Sequence, residues 1–81
     1  MSKDIMWTQA DAKGFEAECL FNEDSRVYEV IVCCPDAKHS RSENFPAHAE
    51  PVPEMDEADR VHSMRVAERL IRDVEHELGD F

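Results

Sequence analysis

The residues with the most chemical potential fall in VIVCCPDAKHS, residues 30–40. Cys33 and Cys34 end an apolar run, Pro35 follows, and His39 comes shortly after; with His48 further on, they make a nominal four-ligand zinc set. Zinc cysteines usually stand about two to four residues apart. Adjacent residues of a strand point to opposite faces, so Cys33 and Cys34 do not converge on one ion. His39 and His48 are also spaced more widely than the usual zinc-finger pair. The pattern predicts no metal and no other cofactor. Instead it predicts a strand end, with one cysteine packed inward as a small hydrophobe and the other facing solvent or the next strand. Pro35 then stops the ladder.

Cys34 and His39 are also the one nucleophile–base pair the chain offers. A catalytic thiol needs an oriented histidine and surroundings that favour the thiolate. No Asn or Asp is evidently placed to orient His39, and the surrounding charge is negative. Other chemistry is thinner still. His62 and His76 fall nearly on one line of a helix but about 21 Å apart at the helical rise, too far to share a ligand. The only glycines are Gly14 and Gly79, so there is no glycine-rich phosphate loop. His76-Glu77-Leu78 lacks the second histidine of a zinc-protease helix. Nineteen Asp and Glu residues guarantee close carboxylates by chance, but acid–base chemistry needs a pocket that shifts a pKa. The expectation is a protein that is not an enzyme.

The carboxylates group at the two ends of one segment. Glu54, Asp56, Glu57 and Asp59 crowd the start of a helix expected over 54–78, where the positive end of the dipole favours them. Pro53 suits the first turn and Gly79 the C-terminal cap. Asp73, Glu75, Glu77 and Asp80 lie at the opposite end, where the dipole disfavours them. Two readings follow: an exposed helix end tolerates them at a small cost, or they serve something other than helix stability, and under the second reading this group is the stronger candidate for a protein-binding surface. Met64, Ala67, Ile71, Val74 and Leu78 recur at intervals of three and four, with Leu70 beside them. Packing of this stripe on a sheet is expected. The same stripe, extended to Phe81, fits a short heptad seam that would serve a homodimer, but it breaks upstream at Glu57 and Arg60. Val61 and Val66 fall off the stripe as a minor exposed apolar surface. Arg69–Asp73 and Glu68–Arg72 are spaced as i,i+4 pairs.

The elements before the helix read as strands. GFEAECLFN (14–22) alternates with period two, placing Phe15, Ala17, Cys19 and Phe21 on one face and Glu16, Glu18 and Leu20 on the other. RVYEVIVCC (26–34) is rich in β-branched and aromatic residues. It places Tyr28, Val30 and Val32 on one face and Val27, Glu29, Ile31 and Cys33 on the other. A tight turn at Glu23–Asp24 joins the two faces into one core but sets Glu18 opposite Glu29, an unfavourable pair. A longer loop avoids the clash and keeps the faces. A short strand near Ile5–Gln9, anchored by Trp7, is expected before the hairpin. Residues 36–53 form either a polar loop or an edge strand near Ser42–Phe45. The order predicts one domain over 1–81: an α+β fold in which a small antiparallel sheet of three to four strands packs against one C-terminal helix.

The chain has 81 residues, room for one domain with a thin core. Its formal net charge of -10 repels nucleic acid and anionic membranes and favours basic partners. The N-terminal residues lack an apolar run of signal-peptide length, no segment is apolar enough for a membrane span, and neither end carries a lipidation signal. Three cysteines, an odd number, fit poorly with a disulfide scaffold and well with reduced thiols in the cytoplasm. The expected function is binding of another macromolecule, a protein with a basic surface. The alternative is an acidic inhibitor that presents carboxylates in place of DNA phosphates, as phage anti-restriction and anti-CRISPR proteins do. An unbroken carboxylate stripe would favour the alternative, and carboxylates scattered among basic residues the first reading.

Overall fold

The computed structural model describes residues 3–36, 38–51 and 54–78, with the backbone alone at residue 78. Four strands precede one helix: β1 (Lys3–Ala10), β2 (Glu16–Asn22), β3 (Val27–Cys33), β4 (Ser40–Pro46) and α1 (Glu57–Leu78). The strands pair in chain order as an antiparallel meander, and α1 crosses one face of the sheet. The fold is the expected α+β arrangement, and the polar stretch after Pro35 supplies the edge strand β4.

Each of the three strand connections is organised by one short side chain accepting from backbone two or more residues on, the turn chemistry of Asp and Asn. Asp11 Oδ1 accepts from the amides of Lys13 and Phe15 at 2.9 and 3.0 Å. Asn22 Oδ1 accepts from Asp24 and Ser25 at 2.9 and 3.2 Å. Asp36 Oδ1 accepts from Lys38 and His39 at 2.9 and 3.3 Å. In the first loop Gly14 takes φ 97°, and a Cβ there would stand 3.2 Å from Pro35 Cβ. In the second loop Arg26 takes the left-handed conformation, φ 56°, at a strain cost of about 1 kcal/mol.

The β2–β3 register pairs Phe21 with Tyr28, Cys19 with Val30 and Glu18 with Ile31. Of the two loops the sequence leaves open, the hairpin takes the longer one. The shift of two residues moves Glu29 opposite Leu20 and removes the carboxylate clash while preserving both faces. β1 runs along the far edge with a bulge between Ile5 and Trp7, which puts Trp7 opposite Cys19 on the covered face. Such a bulge disrupts the ladder at an exposed edge.

The core joins Phe15, Ala17, Cys19, Phe21, Tyr28, Val30, Val32, Cys34 and Phe45 from the sheet side with Val66, Ala67, Leu70 and Val74 from α1. Val30, Val32 and Val74 are buried as expected, whereas Ile71 is only partly so. The buried face of α1 is also turned from the expected stripe. Val66, expected to be exposed, is 3% accessible, and Met64 is half-buried. Asp59 and Ser63 explain the turn: both are buried on the sheet-facing side, where a purely apolar reading does not place them. Ser63 Oγ accepts from Trp7 Nε1 at 2.8 Å and donates to the Arg60 carbonyl at 2.8 Å, tying the edge strand to the helix. Leu78's side chain, Pro53, Gly79 and Phe81 lie outside the described residues.

The helix begins three residues later than expected. Asp56 is its N-cap: its Oδ2 accepts from Ala58 N at 3.1 Å and its carbonyl from Arg60 N at 2.9 Å. Glu54 therefore precedes the helix rather than opening it.

Candidate functional site

The cysteine corner behaves as strand alternation requires. Cys33, the last residue of β3, is exposed, and Cys34, just past the strand, is buried. His39 and His48 stand beyond opposite ends of β4, a strand of 7 residues. At about 3.4 Å per residue that separates them by more than 20 Å, and they cannot share an ion. Among the described residues no three His, Cys, Asp or Glu side chains cluster as a metal site would need. One expectation is corrected here. Asp36 does orient His39, with Oδ2 2.7 Å from Nδ1. The Asp36 carboxyl is held below the usual range by the Lys38 amide and then by His39. The thiols are not activated to match. Burial, then Asp36, pushes Cys34 up, and burial pushes Cys19 up to about 11 despite its hydrogen bond to Ser63. Both shifts oppose the thiolate that a nucleophile requires.

The acidic candidates divide sharply. Asp59 is 4% accessible; its two oxygens accept from His48 N at 3.1 and 2.9 Å and from Ala49 N at 3.2 Å. It anchors the segment after β4 and presents no exposed charge. Asp56 is the cap just described, and Glu54 and Glu57 are exposed. At the other end, Glu75 pairs with Lys13 of the β1–β2 loop at 2.5 Å, and Glu77 with Arg41 of β4 at 2.9 Å. These two carboxylates sit against the helix dipole because cations of neighbouring elements hold them there. Asp73 is exposed, and Asp80 lies outside the described residues. Arg69, expected to pair within the helix, instead reaches Glu43 of β4, an ion pair that holds the Glu43 carboxyl low. Lys3–Glu29 and Arg26–Glu50 are further pairs, so carboxylates and cations interleave over the surface of the described residues.

The face of the sheet away from α1 has no cover among the described residues. Cross-strand pairing puts Ile5, Leu20, Glu29 and Asn44 in one row, Thr8, Glu18, Ile31 and Ser42 in the next, and Ala10, Glu16, Cys33 and Ser40 in the third. Ile5 is 63% accessible; Leu20 and Ile31 are half-exposed and Cys33 exposed. A hollow of about 370 Å³ opens here over Ile31, Cys33 and Ala10, walled by Glu16, Glu18 and Thr8. A second of about 410 Å³ shares Glu16 and Cys33 with it and runs on to Pro35, Lys38 and His39. Lys3 neutralises Glu29, but Glu16 and Glu18 have no ion-pair partner among the described residues. These residues were absent from the sequence-derived candidates, although the period-two pattern separates them correctly from the core. The missing step was that one helix covers only one face of a sheet.

Comparison with known protein families, with curated proteins and with solved structures found no match. Among the described residues no helix is long and apolar enough to cross a membrane.

Proposed function

We propose that the protein is a non-enzymatic binding module for another protein, one with a basic surface, and that it works in a reducing cytoplasm. The observation that carries this reading is the sheet face opposite α1, where Ile5 and Cys33 are exposed and Leu20 and Ile31 are only half-buried. A sheet normally buries such side chains against a second layer. The net charge of -10 gives the partner its sign. Three free thiols support the compartment. The interleaving of carboxylates with Lys and Arg supports a protein partner over mimicry of DNA phosphates, which calls for an uninterrupted stripe.

The test is affinity capture from native cells with tagged wild-type chain and with a Leu20→Asp variant, followed by reconstitution. The expected result is a protein recovered with the wild type, lost with the variant, and able when purified to re-form a complex whose association slows as salt rises. Recovery of nothing, or of proteins that fail to re-form a complex, counts against the reading.

A further inference from the structure

We infer that the uncovered sheet face receives an amphipathic helix of the partner, with an apolar stripe flanked by Lys and Arg, as a second helical layer opposite α1. The inference rests on the protein-binding reading above and adds the occupant.

The shape of the face sets the first constraint. Strands of 7 to 8 residues at about 3.4 Å each are roughly 20 Å or more in length, and four strands about 4.8 Å apart make a face roughly 15–20 Å across. A helix of about 14 residues rises about 20 Å, and its diameter of about 10 Å rests on the central strands. Ile5 and Leu20 are directly opposite each other on β1 and β2, and Ile31 stands on β3 beside Glu18. Together they offer an apolar ridge across the centre of the face rather than a deep pocket.

Charge sets the second constraint and decides between occupants. Lys3–Glu29 is already neutral, which leaves Glu16 and Glu18 as carboxylates beside the apolar ridge with no ion-pair partner among the described residues. They lie two residues apart on the same face of β2 and wall the hollow whose floor includes Ile31 and Ala10. A Lys or Arg from the partner can lay its aliphatic stem on that floor and its charged head between the two carboxylates. A second copy of this chain would bring two more such carboxylates into the same interface, each copy carrying a net charge of -10. Like charges across an interface oppose association. An acidic helix fails for the same reason.

The test uses the full-length chain labelled with nitrogen-15 and three synthetic peptides of about 18 residues. One carries a Leu stripe with Lys and Arg flanks, one the same stripe with Glu flanks, and one the same basic residues with Ser in place of Leu. The first should shift the amides of Ile5, Thr8, Leu20, Ile31 and Ser42 and leave Arg65, Glu68 and Arg72 on α1 unmoved. The other two should bind at least tenfold more weakly. Combined Glu16→Gln and Glu18→Gln, both at accessible positions, should raise the Kd for the first peptide about tenfold and leave thermal stability unchanged. No binding of the first peptide, equal binding of all three, shifts confined to α1, or self-association through this face in sedimentation equilibrium would each overturn the inference. If affinity capture still yields a reconstitutable partner in that event, protein binding stands and only the occupant is wrong. If capture also fails, the broader reading falls with it.

Discussion

Replacing Asp59 by alanine should be among the most damaging single changes to a charged residue in this chain. The carboxylate accepts two backbone donors, His48 N and Ala49 N, at 2.9 to 3.2 Å. Hydrogen bonds to a charged acceptor contribute about 1.5–3 kcal/mol each. His48 and Ala49 are exposed residues, so water can reach their amides once the carboxylate is gone. The lower figure then applies to each, about 3 kcal/mol for the pair. Loss of a carboxylate from the first turn of α1 adds about 0.5 kcal/mol. The sum, about 3.5 kcal/mol, is a large part of the roughly 4–12 kcal/mol expected for a chain of this length. Asp59→Asn keeps an acceptor and should cost about 1–1.5 kcal/mol. Glu57→Ala, an exposed carboxylate two residues away, should cost about 0.5 kcal/mol or less. Urea unfolding at pH 7, followed by far-ultraviolet circular dichroism, measures all three on one scale. A midpoint for Asp59→Ala matching that of Glu57→Ala, with unchanged slope, would refute the anchoring role.

The turned face of α1 predicts that Val66→Ala costs about 2 kcal/mol while Val61→Ala stays within about 0.5 kcal/mol; the same urea titration separates them, and equal costs would restore the apolar stripe read from the sequence. Thiol labelling with dithiobis-nitrobenzoate should modify Cys33 rapidly in the native protein and Cys19 and Cys34 only on unfolding, because those two are buried. Stability should fall as pH rises above about 9: the unfolded chain releases the Cys19 and Tyr28 protons near 9 and 10, whereas the folded chain holds them to about 11 and about 12, so the unfolded state binds fewer protons across that window. Cys19→Ala should shallow the loss of Tm between pH 9 and 11, and an unchanged slope would contradict the assignment. Glu75→Gln and Glu77→Gln should each cost about 0.5 kcal/mol at low salt, a difference that disappears in about 1 M salt if they act through the Lys13 and Arg41 pairs.

Period-two alternation made the hairpin legible in detail. It sorted Cys19 from Glu18 and Val30 from Ile31, but it left both loop lengths open, because a shift of two residues preserves the faces. β4 was half legible, because its inward positions carry Arg41 and Glu43, which face α1 through ion pairs rather than apolar contact. The helix was legible as a helix but not in its orientation. Asp59 and Ser63 are polar residues on the buried side, each satisfied by a partner distant in sequence, and no local pattern announces such a partner. The same blindness affected the acidic candidates. Glu75 and Glu77 look misplaced beside the helix dipole until Lys13 and Arg41 come into view. The sheet's open face was present in the alternation all along; recognising it required counting covering layers rather than charges.

The order of the elements also governs how the chain emerges during synthesis. The meander is built entirely from neighbouring strands, and its last residue, Pro46, is made before the first residue of α1. At about 5–20 residues per second, the 22 residues of α1 take about 1–4 s to be added. Any sheet that forms before α1 docks has no helix to lie against. Tyr28, Val30 and Val32 are then as open to water as Ile5 and Leu20 remain afterwards, so the nascent sheet is apolar on both sides. Chaperone contact and aggregation both have their opening in this interval, before α1 docks, and a codon change that slows translation of residues 57–78 would lengthen it without altering the protein.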